Sequence, residues 1–250
     1  MRLQFIVCDM FMLPVEHLDA ASPHELVLTD LSASLHVEPL PLRDRIQEEV
    51  DRIEAEDPGL EAIQLGYGLC GGATAGLKAR SAPLVLPRAH DCATIFLGSR
   101  ERYLQEHEAT PGTYWFTEDN IKRGDALKGW LLGDAGRSDG VEETYREYVE
   151  KYGQENADYL MEAMGAWQSH YERGAFLETG LAEDETSMQQ ARSESELRGW
   201  RFERVMSDLN LIKRLLDGDW DADYLVVQPG EQVAMSYDDE VVKAVSASTG

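Results

Sequence analysis

Short apolar runs that alternate with helix-like segments are the feature of this sequence that most constrains its fold. Residues 2–8 (RLQFIVC), 62–70 (AIQLGYGLC) and 84–87 (LVLP) each predict a strand that ends in a loop. A segment that begins near Pro41 has apolar residues at helical spacing. These apolar residues are Leu42, Ile46, Val50 and Ile53. Alternation of strands and helices predicts an α/β fold, with Rossmann-like parallel sheet units and helices on both faces.

The rest of the chain extends this pattern with less regularity. A second strand is predicted at 26–36, helical structure at 71–80 and 92–108, and later strands at 174–180 and 223–228. Two helices are predicted on either side of Gly153, at 141–153 and 158–171, and a helical segment at 191–218 is broken at Gly199. The 250 residues are 43% hydrophobic and can bury an ordinary core. We expect one α/β protein over 1–250, or two or three pseudo-similar lobes, with 1–120 and 121–250 as candidate lobes.

The charge balance excludes some classes of partner. Forty-seven acidic residues against 23 basic ones give a formal charge of -24, which repels phosphate backbones and anionic membrane surfaces. We therefore expect neither nucleic acid nor membrane as a partner. The N-terminus does not resemble a secretory signal, so the predicted location is the cytoplasm. Acidic segments spread along the whole chain are typical of a solvated surface, including that of a protein from a saline habitat.

The three cysteines occupy equivalent positions relative to the predicted strands. Cys8 ends the first strand, Cys70 ends the strand at 62–70, and Cys92 follows LVLP after a short loop. In open parallel sheets, ligands bind outside the carboxyl ends of the strands. Thiolates that converge there are what a zinc ion or an iron–sulfur cluster requires. Cys8, Cys70 and Cys92 are therefore candidate metal ligands.

The cysteines and the neighbouring His90 allow three alternative interpretations. His90 and Cys92 are separated by one residue, so His90 could replace one thiolate at a zinc site. His90 could instead be the base of a catalytic thiol that needs no metal. Three buried cysteines that only fill the core are the third interpretation.

A glycine-rich turn follows the strand at 62–70. Gly66, Gly68 and Gly71 fit the spacing G-x-G-x-x-G, with Asp91 about 20 residues further on, as in dinucleotide-binding proteins. Cys70 lies inside this turn, and the strand is not the first of the chain. We therefore expect Gly68, Gly71 and Gly72 to let the backbone close around a cofactor or cluster. The amides of a short helix at 73–76 would hold a carboxylate or phosphate.

The same loops carry the candidate catalytic residues. Arg88 lies beside the proposed site in a chain that is poor in positive charge, which favours a small anionic substrate bound by a guanidinium. Proton transfer would involve His90, Asp91 and Tyr67, with Asp9 as a supporting partner. Tyr114, Trp115 and Phe116 are expected in the core, with a wall over the site as the alternative.

Four segments resemble the family known as domain of unknown function 1638: LGYGLCGGATAGL, LVLPRAHDCATIFLGSRERY, PGTYWFT and YLVVQPGE. The resemblance covers nearly the whole chain and is most specific at YGLCG and PRAHDC. It implies shared cysteines at Cys70 and Cys92, usually with one near the N-terminus like Cys8. It also implies an association with corrinoid-dependent methyltransferases, so a corrinoid is a further candidate cofactor and a methyltransferase protein a candidate partner.

Two better-understood enzyme types are similar in part. Quinolinate synthase-like enzymes gather three cysteines from three α/β lobes around a cluster with one open iron. Zinc-dependent thiol methyltransferases use a His-x-Cys pair and a distant cysteine, which His90, Cys92 and Cys70 resemble. We therefore expect a metal-dependent enzyme that acts on a small anionic molecule. The alternatives are a metal- or corrinoid-handling accessory protein of a methyltransferase system and a zinc-dependent thiol methyltransferase.

Overall fold

The structure is a computed structural model that describes residues 2–19, 22–37, 39–122, 146, 149–154, 156–157, 170–181 and 185–247. The chain divides into two compact units. The first consists of Met1–Gln105, Thr179–Leu181 and Met206–Gly250, and the second of Glu106–Glu178 and Ala182–Val205. These boundaries differ from a division at residue 120, because the chain returns to the first unit after the second.

The described strands are β1 (Arg2–Cys8), β2 (Glu25–Leu31), β3 (Ala62–Gly66), β4 (Leu84–Pro87), β5 (Thr113–Phe116), β6 (Arg173–Glu178), β7 (Arg201–Met206), β8 (Tyr224–Val227), β9 (Glu231–Met235) and β10 (Val242–Ser246). The described helices are α1 (Met12–Asp19), α2 (Pro39–Glu56), α3 (Cys92–Leu97), α4 (Arg100–Ala109), α5 (Glu118–Lys122), α6 (Thr186–Leu197) and α7 (Asn210–Asp217). Short 3₁₀ turns cover Asp9–Phe11, Ala33–Val37 and Cys70–Gly72.

The first unit is built on a five-stranded sheet in the order β2-β1-β3-β4-β8. The first four strands of this order are parallel, whereas β8 pairs antiparallel with β4. All residues of β3 and β4 are buried, as expected for central strands covered on both faces. A mixed α/β fold with a mainly parallel sheet is therefore confirmed.

Helix α2 buries the apolar residues whose spacing predicted it. Its four periodic residues, Leu42, Ile46, Val50 and Ile53, are at most 2% exposed, and the helix packs against β1. Burial of such side chains contributes about 1.5–3 kcal/mol each. Among the charged residues of α2, Glu49 and Glu54 are buried, whereas others lie at the surface and form ion pairs such as Arg52 with Glu56.

The second unit contains the sheet β5-β6-β7 and its own core. The buried part of this core consists of Phe116, Ile121, Phe176, Met188, Ala191 and Trp200. Tyr114 stacks on Trp200 with ring centroids 5.5 Å apart. The prediction that the aromatic segment packs in a core is thus confirmed for Tyr114 and Phe116.

Several local predictions need correction. Residues 71–80 form no α-helix, because Gly72 and Gly76 have φ of +98° and +95° and the segment proceeds through turns after the 3₁₀ turn at Cys70–Gly72. The second strand region ends at Leu31 and continues as a 3₁₀ turn. Strand β7 occupies part of the segment predicted as helical after Gly199, and β9 and β10 form a hairpin that was not predicted. Most of the two helices predicted around Gly153 lies outside the described residues.

Within the described ranges, no helix has both the length and the apolar character that crossing a membrane requires.

Candidate functional site

The carboxyl ends of β1, β3 and β4 lie side by side in the first unit. Strand β2, which follows β1 in the chain, lies toward one edge of the sheet, whereas β4, which follows β3, lies toward the opposite edge. The adjacent strands β1 and β3 therefore form a topological switch point, where the two following loops diverge and leave a crevice. Cys8 is the last residue of β1, and Tyr67 directly follows β3.

The loops after β3 and β4 are joined through their backbones. The N–H of Leu69 donates to the carbonyl of Ala89 at 2.8 Å, and the N–H of Cys70 donates to that of His90 at 2.9 Å. A Cβ on Gly68 would lie 2.8 Å from the carbonyl oxygen of Ala89, which is closer than packed atoms allow. The close contact between the two loops thus explains why this position is a glycine.

Three consecutive residues after β3 have positive φ angles. They are Cys70 at +47°, Gly71 at +66° and Gly72 at +98°. Glycine adopts this conformation readily, but a cysteine there is strained, at a cost of about 1–3 kcal/mol. Such strain is found preferentially at functional sites. The strained backbone thus marks Cys70 as a candidate functional residue.

The three thiols lie at or after the ends of three neighbouring strands of the sheet, β1, β3 and β4. Cys8 is buried, at 1% exposure, while Cys70 and Cys92 are partly exposed as residues. Burial raises the pKa of Cys92 well above its usual value, with further contributions from Asp91, Cys70 and Cys8. Cys8 and Cys70 thus both influence the protonation of Cys92. None forms a disulfide.

The surroundings of the thiols disfavour negative charge. Burial, and then the nearby carboxylate of Asp91, raise the pKa of Cys70 to about 12, although a hydrogen bond from the backbone of Gly68 acts in the opposite direction. No lysine or arginine of the described residues contributes to the pKa shift of Cys70 or Cys92. Without a cation, both thiols stay protonated at neutral pH.

The described part of the chain contains no group of three or more His, Cys, Asp or Glu side chains placed to hold a metal ion.

Tyr67 places a buried hydroxyl among these groups. The residue is 1% exposed, and its Oη has no hydrogen-bond partner in the part of the chain that the structure describes. Burial raises the pKa of Tyr67 well above its usual value, and Cys8, Cys70, Asp9 and Asp30 add to this effect. A buried hydroxyl without a partner is costly, so its presence needs a physical reason.

His36 packs against Tyr67 and was missed in the sequence. Its ring stacks on that of Tyr67 with centroids 5.9 Å apart, and its Nδ1 lies 3.2 Å from the carbonyl oxygen of Ala33. Burial lowers the pKa of His36, against the opposite effects of that hydrogen bond and of Asp9. The Asp9 carboxylate also accepts a hydrogen bond from the N–H of Ala33 at 2.9 Å. The available signal was position, because His36 follows β2 as the cysteines follow their strands.

The other predicted catalytic residues have structural partners. Asp91 is the N-cap of α3 and accepts hydrogen bonds from the N–H and hydroxyl of Thr94, at 3.0 and 3.1 Å, and from Tyr103 at 3.3 Å. His90 is exposed, with its ring 5.9 Å from that of Tyr103. These contacts stabilise the conformation of the loop after β4.

Arg88 contacts the C-terminal hairpin. Its guanidinium pairs with the carboxylate of Glu240 at 2.7 Å and donates to the backbone carbonyl of Val242. Arg100 also reaches this hairpin, through the carbonyl of Asp239. The positive charge expected to bind an anion is thus already paired with protein groups.

Comparisons with known proteins add one finding. No curated protein and no solved structure matches the chain. A family model described as "Protein of unknown function (DUF1638)" matches residues 31–216, a range that includes Cys70 and Cys92 and excludes Cys8. Because the match covers most of the chain, the protein belongs to this family.

Proposed function

We propose that this protein binds a thiophilic metal centre through Cys8, Cys70 and Cys92 and uses it as an enzyme on a small molecule. One observation carries the proposal: the three cysteines end or follow β1, β3 and β4, three neighbouring parallel strands whose carboxyl ends lie beside the switch point of the sheet. Three unrelated core cysteines would have no reason to share that position.

The electrostatics of the crevice favour a bound cation. Burial and the Asp91 carboxylate raise the pKa values of Cys70 and Cys92, so the thiols are poor nucleophiles at neutral pH. A metal ion stabilises thiolates directly and supplies the positive charge that the surrounding described residues do not provide. This argues against a catalytic thiol without a metal.

Thiolate ligands suit either an iron–sulfur cluster or a zinc ion, and elemental analysis distinguishes the two centres. With three protein ligands, either centre would have a position open to substrate, and the metal would supply Lewis acidity or activate water there.

The substrate class and the location have less support. An anionic substrate stays a prediction, because Arg88, on which it depended, is paired with Glu240. A cytoplasmic location agrees with three cysteines that form no disulfide. The same reducing environment would preserve thiolate ligands.

The test is elemental and sulfide analysis, with an absorption spectrum, of protein purified without oxygen. An iron–sulfur cluster would give stoichiometric iron and sulfide with a visible charge-transfer band. A zinc centre would give stoichiometric zinc without that band. Protein without a stoichiometric metal would contradict the proposal.

Variants show whether the cysteines hold the metal. Cys8→Ser, Cys70→Ser and Cys92→Ser should each reduce metal content strongly. Val7→Ala is the matched control, because Val7 is a fully buried neighbour of Cys8 whose truncation weakens packing and removes no ligand. Equal metal content in Val7→Ala and Cys8→Ser would exclude Cys8 from the centre.

The alternatives from the family resemblance stay predictions. A metal- or corrinoid-handling accessory protein would retain its metal or corrinoid, show no turnover and copurify with a methyltransferase protein. A zinc-dependent thiol methyltransferase would depend on His90 as a ligand, so His90→Ala would release zinc.

A further inference from the structure

Tyr67 and His36 form a polar pair beside the thiols that the metal centre does not require. Their rings are nearly parallel, with an angle of 20° and centroids 5.9 Å apart. The two side chains come from different strands, since His36 follows β2 and Tyr67 follows β3.

The hydrogen bonds of His36 define what its ring offers. Nδ1 faces the carbonyl oxygen of Ala33 at 3.2 Å, and a carbonyl only accepts hydrogen bonds, so Nδ1 carries the proton. In the neutral ring, Nε2 is then an acceptor. Asp9 holds the turn that carries His36, through its hydrogen bond with the N–H of Ala33.

Tyr67 contributes the complementary group. Its Oη is buried and has no hydrogen-bond partner among the described residues, so it is able to donate. A donor and an acceptor side by side match a hydroxyl group, which accepts one hydrogen bond and donates another.

We infer that Tyr67 and His36 bind a hydroxyl group of the small molecule that enters the crevice between β1 and β3. Tyr67 Oη donates to the hydroxyl oxygen, and His36 Nε2 accepts its proton. The inference deepens the proposed function by naming a substrate class, hydroxyl-bearing small molecules, and it does not require the identity of the metal.

The first test is stability. Removal of a buried hydroxyl that lacks a partner removes its desolvation cost, so Tyr67→Phe should raise the melting temperature by about 2–4 °C. Tyr224→Phe is the matched control, because the buried Tyr224 donates to the carbonyl of Leu211 at 2.7 Å and its loss should lower the melting temperature. A lower melting temperature for Tyr67→Phe would show that Oη has a structural partner and overturn the inference.

The second test is binding, measured in wild type and variants by NMR on the backbone amide signals of Ala33 and Gly68, which lie near His36 and Tyr67 in the chain. Two probe pairs differ by one hydroxyl: glycolate against acetate, and ethylene glycol against ethanol. At least one hydroxyl-richer probe should bind wild type about tenfold more tightly than its partner, and Tyr67→Phe should abolish that preference. If wild type discriminates neither pair, the inference is wrong.

Two variants of His36 test which of its ring nitrogens binds the hydroxyl group. Asparagine places a donor near the Nδ1 position and removes Nε2, so His36→Asn should lose the preference for the hydroxyl. Glutamine extends an amide toward the Nε2 position, so His36→Gln should restore part of it. If both variants show the same preference for the hydroxyl-bearing probe, Nε2 takes no part in binding the hydroxyl. Metal content should stay at the wild-type level in both, which separates this inference from the proposed metal centre.

Discussion

The backbone N–H of Cys70 donates a hydrogen bond to the carbonyl oxygen of His90 at 2.9 Å. This bond joins the loop after β3 to the loop after β4 and brings Cys70 near Cys92, two residues beyond His90. The contact is non-local, between residues 20 apart in the chain, and it depends on the adjacent positions of β3 and β4. Backbone geometry, rather than the thiols themselves, thus brings these two loops together.

Gly68→Ala tests this contact. The added methyl group would lie 2.8 Å from the carbonyl oxygen of Ala89 and 2.9 Å from the backbone nitrogen of Asp91. Because backbone atoms cannot move away freely, we expect a loss of about 1–3 kcal/mol in the free energy of unfolding and a lower metal content. Denaturant unfolding and metal analysis measure both.

Gly59→Ala is the control for that variant. A Cβ at Gly59 would meet only the Asp57 carboxylate, at 4.0 Å, so stability should change by less than about 0.5 kcal/mol. If the two alanine variants behave alike, the two loops do not depend on close approach at Gly68.

Cys70→Gly separates function from stability. Glycine relieves the strain of a φ of +47° but adds conformational freedom to the unfolded chain, so the free energy of unfolding should stay within about 1 kcal/mol of wild type. Metal binding should nevertheless be lost, because the thiol is gone. A variant that unfolds much more easily yet retains full metal content would contradict the role proposed for Cys70.

The raised thiol pKa values predict a pH dependence for metal-free protein. Burial, then Asp91, raise the pKa of Cys70 from an ordinary 9.0 to about 12, so between these values the folded state holds a proton that the unfolded state has lost. Stability is therefore fully present below about pH 9 and is lost as the pH rises toward 12, by up to about 1.4 kcal/mol per pH unit for each such thiol.

Unfolding of the metal-free protein at a series of pH values measures this slope, and Cys70→Ser should reduce it. Alkylation gives an independent check: at pH 8, Cys70 should react about a thousandfold more slowly than a small-molecule thiol. Rapid alkylation of Cys70 at neutral pH would show that its thiolate is stabilised instead.

Asp91→Ala should act mainly through helix α3. Loss of the N-cap hydrogen bond to Thr94 should cost about 0.5–2 kcal/mol, and Asp91→Asn should restore most of it, because asparagine caps equally well. Thermal or denaturant unfolding of the two variants gives the comparison. Should Asp91→Asn restore stability while an assayed activity remains abolished, Asp91 would have a chemical role beyond capping.

Part of the fold was predictable because it depends on local pattern. Apolar residues at helical spacing identified α2, and short apolar runs identified β1 and β4 with the bounds observed. The same reasoning failed at β7, where 3 of the 6 residues are charged and 4 are exposed, so no alternation marks the strand. It also failed at 71–80, where glycines with positive φ replace a helix with turns.

The candidate site was predictable to the extent that it depends on strand ends. Cys8, Cys70 and Cys92 follow strands that local pattern identifies, and parallel strands bring such ends to one edge. The role of Arg88 was not readable, because its partner Glu240 lies in a distant hairpin. The role of Asp91 as a helix cap was readable from its position three residues before Thr94, but the carboxylate was assigned to proton transfer instead. His36 was missed because no motif surrounds it.

The sequence by itself determined the strands and helices with strong periodicity, the acidic surface and the placement of each cysteine at a strand end, since all of these depend on residues close together in the chain. Only the tertiary structure decided the strand order β2-β1-β3-β4, and with it which loops meet. Strand order depends on backbone pairing between distant segments, which leaves no periodic trace in the sequence. That pairing sets Gly68 against the β4 loop and places His36 beside Tyr67.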